Sequence, residues 1–266
     1  MLIDTHCHLN FDEFENDREE IIGRCLAGST SSPQVWMINV GADLETSQKA
    51  IEIAEKYNKG VYASVAIHPH NVGPDKSSAF RRVDFLALAK KSKVVAIGEC
   101  GLDYQFCEND EKIQKLQQKV FIEHLKLAKE LNKPIIIHSR RLFPEILEII
   151  KKYPKVKGVL HCYMGRWSYA EEYLKLGFYI SFTGLITYAR DYDKVIKNCP
   201  LDRILIETDA PYLSPEPLRQ AQGKPQKNVP ENVKYVAEKI AEIKGISFDQ
   251  VADQTTQNAK KLFNLI

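Results

Sequence analysis

Eight times along this chain a short apolar run gives way to a longer amphipathic stretch, and that alternation limits the fold more than any other feature. The runs fall at 2–5, 35–39, 61–66, 94–97, 134–137, 158–160, 178–181 and 204–206. They are rich in Val and Ile and do not alternate with polar residues, as expected of parallel strands covered on both faces. Helical stretches follow at 15–26, 44–57, 80–89, 113–131, 143–152, 169–176, 191–197 and 229–244. In 113–131, Ile113, Leu116, Val120, Leu127 and Leu131 form one stripe of a 3.6-residue period. Gly245 then ends a helix, and Ser247-Phe248-Asp249-Gln250 opens another with a capping-box pattern. Eight strand–helix units predict an α/β fold, a (β/α)8 TIM barrel with an extra C-terminal helix. A doubly wound open sheet remains the alternative, because periodicity does not distinguish a closed sheet from an open one.

A chain of 266 residues suits one such barrel, so residues 1–266 are expected to form a single domain. With 44% hydrophobic residues, a sizeable core is available. The net charge of +2 gives no global pull toward polyanions; an anionic ligand would need a local patch. Six scattered cysteines without a CxxC pair suggest a reducing compartment, and no signal segment or membrane-length apolar run is visible. The expected location is cytoplasmic, with no membrane association and no evident obligate protein partner.

In barrels of this type, chemistry gathers at the carboxyl ends of the strands. Strand 1 ends on His6 and His8, and strand 3 on His68-Pro69-His70. Strand 4 ends on Gly98-Glu99-Cys100-Gly101-Leu102-Asp103-Tyr104, strand 5 on His138-Ser139-Arg140, and strand 6 on His161-Cys162-Tyr163. Strand 8 ends on Glu207-Thr208-Asp209-Ala210-Pro211. Singly, each residue reads as well as a hydrogen-bonded structural group. Together they mark one end of the barrel. The seventh histidine, His124, sits mid-helix and reads as a surface residue. Imidazole with carboxylate suits a transition-type divalent ion, whereas an all-oxygen cage would favour Mg2+ or Ca2+. Four histidines and two carboxylates exceed one tetrahedral catalytic site and suit two ions, which can clamp a phosphoryl group roughly 3.5–4 Å apart. Cys7, Cys100 and Cys162 adjoin these positions and are expected to pack.

These segments, with Asn258-Ala259-x-x-Leu262-Phe263, resemble the motifs of the TatD family of metal-dependent deoxyribonucleases over the whole chain. The resemblance implies a metal-dependent hydrolase cleaving DNA phosphodiesters, an exonuclease acting on DNA ends or single strands through water activated by two divalent ions (Mg2+, Mn2+ or Zn2+). By that resemblance His6, His8 and Asp209 hold the first ion, His138 and His161 the second, and Glu99 bridges. Glu99 and Asp209 are the catalytic carboxylates, with Asp209 able to accept a proton from the attacking water. His68 becomes a phosphate contact. The family's Arg-Asn-x-Pro is Lys227-Asn228-Val229-Pro230 here, after a Gln-rich 219–226 run. Lys keeps the charge but loses the bidentate fork.

Arg140, Lys227 and Asn228 are the expected contacts to flanking phosphates of a DNA or short oligonucleotide substrate. Tyr104, Tyr163 and Tyr212 could stack on unpaired bases or simply pack the barrel rim. Two alternatives stand beside this reading. One is an amide, ester or lactone hydrolase using the same dinuclear site, such as a D-aminoacyl-tRNA deacylase. The other is a non-enzymatic metal-binding scaffold.

Overall fold

A computed structural model of the chain describes residues 1–29, 32–73, 80–105, 107–216, 218 and 227–265. The expected Gln-rich 219–226 run lies outside the described residues. Eight strands form one parallel sheet in chain order: β1 Leu2–Cys7, β2 Val35–Val40, β3 Val61–Val65, β4 Val94–Leu102, β5 Ile135–Ser139, β6 Gly158–Leu160, β7 Tyr179–Phe182 and β8 Ile204–Ile206. Nearly every strand residue is buried on both faces, which is why the runs lack polar alternation.

The sheet closes between β1 and β8. The N–H of Asp209 donates to the His6 carbonyl at 2.9 Å, and the N–H of His8 donates to the Ala210 carbonyl at 2.8 Å. Buried Asp4 staples the same seam. Its carboxylate accepts from the Thr208 N–H at 2.9 Å and the Thr208 hydroxyl at 2.5 Å. The open-sheet alternative is thereby excluded, and the TIM barrel stands.

Helices α1 Arg18–Ala27, α2 Leu44–Glu55, α3 Arg82–Ala89, α4 Glu111–Leu131, α5 Phe143–Ile150, α6 Trp167–Lys175, α7 Asp193–Asn198 and α8 Val233–Lys244 surround the barrel. The extra helix, α9 Phe248–Phe263, carries the expected capping box at Ser247 and Gln250. Its Asn258 amide donates to the carbonyls of Leu201 and Ile204, both at 2.8 Å, which fixes it beside the start of β8. Every strand contributes to an inner cluster that includes Ile3, Ile38, Tyr62, Ala96, Ile136, Val159, Tyr179 and Leu205, and Phe263 of α9 joins it. The C-terminal helix therefore stops the foot of the barrel and leaves the mouth for polar groups.

His124 departs from expectation. It is fully buried, not on the surface. Its Nδ1 donates to the Val120 carbonyl at 2.8 Å, its Nε2 accepts the Ile67 N–H at 3.1 Å, and Phe80 packs 4.6 Å away. Neutral imidazole can serve both bonds at once, and burial accordingly pushes its pKa down to about 4.

Candidate metal centre

Two strands break regular pairing where they carry candidate ligands: β1 between Asp4 and Cys7, and β4 between Ile97 and Cys100. Ile3 faces the inner cluster, so strict alternation would turn His6 toward the helices. The irregularity instead brings the His6 ring to 3.6 Å from His161, stacked. Such irregularities re-aim side chains beside active sites. In β4, Gly101 has φ +152°, and a Cβ there would lie 2.0 Å from the His138 carbonyl. Only glycine lets β4 pass that close to β5 and set Glu99 against His138.

Glu99 is the hub. Its Oε2 lies 3.2 Å from His6 Nε2 and 3.8 Å from His8 Nε2. Its Oε1 lies 2.7 Å from His138 Nδ1, 3.5 Å from His68 Nε2 and 3.6 Å from His161 Nε2. Asp209 Oδ1 stands 3.5 Å from His8, 3.7 Å from His6 and 3.9 Å from His161. All six expected ligands therefore meet at the barrel mouth, from strands as far apart in sequence as β1 and β8. Asp209 and Cys162 both have left-handed backbones, φ +56° and +42°, a costly conformation found often at functional sites.

The hydrogen-bond pattern sets the tautomers. His8 Nδ1 donates to the Val40 carbonyl at 2.9 Å, so its Nε2 presents a lone pair to the centre. His161 has Nδ1 2.8 Å from Glu207 Oε1 and turns Nε2 toward the centre. His68 is the reverse: its Nδ1 accepts the His70 N–H at 3.1 Å, so Nε2 carries the proton. His68 therefore offers the centre a donor rather than a lone pair. His138 turns Nδ1 to Glu99 and Nε2 toward Asp103, 3.3 Å away.

Burial alone would raise the Glu99 carboxyl. The imidazoles of His68, His161 and His6, with the His138 contact, outweigh it and hold the group well below its usual range. Asp209 is lowered in the same way: burial opposes, but His8, His161 and His6 prevail. Burial would lower the His161 imidazole, yet Glu207 and Glu99 push it up to about 10. Within each of the groups His6–Glu99–His161, His6–His8–Asp209 and His68–Glu99–His138 the candidate ligand atoms lie within 4.8 Å of one another, and His6 Nδ1 is buried with no hydrogen-bond partner. A divalent cation relieves such a crowd of acceptors, and the mixed N/O donor set fits one.

The expected substrate contacts are distributed differently. Arg140 is exposed and lines a cavity of about 370 Å3 with His138, His161 and Asp209. Lys227 points elsewhere: its ammonium pairs with Asp17 at 2.6 Å and lies 4.6 Å over the Phe14 ring. Asn228 is buried, and its amide donates to the carbonyls of Thr208 at 3.0 Å and Tyr212 at 2.8 Å. It braces the Asp209 turn from behind. The Tyr163 hydroxyl donates to the Arg166 carbonyl at 2.8 Å and its ring is buried beside Phe143, so it packs the rim. The Tyr104 hydroxyl accepts from Gln118 at 2.8 Å, and Tyr212 is 50% exposed. Cys7, Cys100 and Cys162 are buried, as expected of packing residues. Glu207 and Asp103, which face His161 and His138, are the site carboxylates that sequence reasoning misses; their one signal is a place inside the strand-end motifs.

A model of the TatD related DNase family matches residues 3–264. The chain belongs to that family. The TatD relatives span its full length: a Bacillus subtilis protein described as an uncharacterized metal-dependent hydrolase, YabD, is 40% identical over all of both chains. A similarly described Escherichia coli K12 protein, YcfH, is 35% identical over 99% of this chain and 96% of its own. The crystal structure of the Escherichia coli TatD homolog YjjV superposes with a TM-score of 0.87 at 31% identity, covering 100% of this chain and 98% of that one. No helix among the described residues is long and apolar enough to cross a membrane.

Proposed function

We propose that this chain is a divalent-metal-dependent phosphodiesterase, an exonuclease that removes nucleotides from DNA ends or single strands. The observation that carries the reading is the split of Glu99: one carboxylate oxygen faces His6 and His8, the other His138 and His161. A single carboxylate between two imidazole sets suits two neighbouring ions. In this reading His6, His8 and Asp209 would hold one ion, His138 and His161 the other, and Glu99 would serve both. The ions, Mg2+, Mn2+ or Zn2+, would supply activation of water at neutral pH and neutralisation of phosphoryl charge.

The protein's own groups do the rest. Asp209, at the seam of β1 and β8 and kept ionised by its histidine neighbours, takes the proton from the attacking water. His68 donates its Nε2 proton to a phosphoryl oxygen, which its tautomer allows. Arg140, on the cavity wall, holds a flanking phosphate. Lys227 and Asn228 support the loop that carries Asp209, since both side chains are engaged away from the cavity.

The test is hydrolysis of end-blocked oligonucleotides and of bis(p-nitrophenyl) phosphate across a metal series, with and without chelator. Metal-dependent release of nucleotides supports the reading. Full activity in Glu99→Ala or Asp209→Ala would remove it. Cleavage of carboxylic esters or lactones without nucleotide release would favour the deacylase-like alternative, and no metal uptake at all would favour the scaffold.

A further inference from the structure

The cavity beside the metal centre does not end there. Its inner chamber, about 370 Å3, is bounded by His138, His161 and Asp209 on one side and by Met164 and Tyr192 on the other. A second chamber of about 490 Å3 begins on the far side of the same Met164 and Tyr192 and runs out over the starts of α6 and α7. Each volume lies in the range of roughly 300–1,000 Å3 that holds a small organic ligand. Arg140 and Arg141 line the inner chamber, Arg166 and Lys194 the outer. All four are exposed and none has an acidic partner within ion-pair distance among the described residues. This sets them apart from most charged side chains nearby: Arg190 and Lys175 are paired. Asp191 is the one acid on the outer wall. Met164 keeps 38% of its surface exposed at the partition, beside the half-buried Tyr192 ring.

Two compartments with unpaired cations in each, divided by an apolar and aromatic partition, match a repeating ligand of alternating phosphate and planar base. We infer that this groove binds a single strand of at least two nucleotides. Tyr192 and Met164 are the stacking partition between adjacent bases. Arg141 and Arg166 hold the phosphates on either side. The strand leaves the metal centre over β5, β6 and β7, not over β1–β3. This inference rests on the phosphodiesterase reading and deepens it: the outer chamber takes the second nucleotide, on the side of Met164 and Tyr192 away from the metal centre.

The experiment compares wild type, Tyr192→Ala, Tyr192→Trp and Arg166→Ala as metal-loaded proteins on single-stranded oligonucleotides and on bis(p-nitrophenyl) phosphate. The small diester reaches the ions without filling the outer chamber, so it reports the centre and the fold alone. Tyr192→Ala is expected to raise KM for oligonucleotides about tenfold, as loss of one stacking surface does, with little change in kcat. Tyr192→Trp restores it. Arg166→Ala raises KM and lowers the logarithmic salt dependence of oligonucleotide binding by about 0.7, as expected for one phosphate contact on a single strand. Arg166→Ala, whose side chain lines only the outer chamber, keeps wild-type turnover of the small diester. Unchanged oligonucleotide KM in both, or an equal loss on both substrates, overturns the groove while leaving the phosphodiesterase reading intact. A wild type that cleaves neither substrate overturns both.

Discussion

Glu207 Oε1 lies 2.8 Å from Nδ1 of His161, on the side of the ring away from Glu99. The same oxygen accepts the Cys162 N–H at 2.7 Å, which holds the left-handed turn after His161. Glu207 therefore fixes the position of a proposed ligand. Partners of this kind are typically worth about 10–100-fold in metal affinity. Glu207→Gln should weaken metal binding by that order while the protein stays folded, measured by calorimetric titration beside a circular dichroism spectrum. Unaltered affinity would reduce Glu207 to a structural role.

Glu99 and Asp209 should fail differently. Glu99 serves both imidazole sets, so Glu99→Ala should lose bound metal, read by elemental analysis of the purified protein. Asp209→Asn keeps an oxygen near His6 and His8 but removes the proton acceptor. Its kcat on bis(p-nitrophenyl) phosphate should fall by about 10²–10⁴-fold, with metal content reduced less than in Glu99→Ala.

His124 makes a stability prediction away from the centre. Its pKa is pushed from 6.5 to about 4 by burial. Above pH 6.5 the side chain is neutral in folded and unfolded chains, and its environment costs nothing. As pH falls from 6.5 to about 4, the unfolded chain takes up a proton that the folded chain refuses, so stability drains away over that window by roughly 3 kcal/mol. Urea unfolding of wild type and His124→Phe at several pH values checks this. The wild type's advantage at pH 7 should shrink by that amount at pH 4. A constant difference would mean that the buried imidazole protonates normally.

Asn228 and Lys227 should behave as supports for the Asp209 loop. Asn228→Ala removes donors to the Thr208 and Tyr212 carbonyls and leaves both without that partner. A loss of roughly 2–4 kcal/mol in unfolding free energy is expected. Lys227→Ala should leave the salt dependence of oligonucleotide binding unchanged, because its ammonium is held by Asp17. A drop in salt slope would return it to the phosphate contacts.

The barrel was legible because two-sided burial writes itself into the sequence as unbroken Val and Ile runs, and those eight runs each became a strand. Their ends were less legible. The run at 94–97 continues to Leu102, since Gly98 and Gly101 read as breaks in a one-dimensional pattern yet permit close passage of β4 beside β5. That the six candidate ligands would meet was legible because strand ends share one face of the barrel. Their carboxylate partners were not, because Glu207 and Asp103 gain meaning only when His161 and His138 stand beside them. His124 was misplaced because a lone histidine on a Lys- and Gln-rich helix looks exposed until the Phe80 ring covers it.

The closing seam has a consequence for biosynthesis. Asp4 and His6 find their partners just after β8, Thr208 and Asp209, only once some two hundred further residues have been joined. A nascent polypeptide still short of β8 holds His6 and His8 with nothing to close them. Translation must pass the last strand before the pocket exists, so a half-finished chain carries none of the hydrolytic hazard of the completed one.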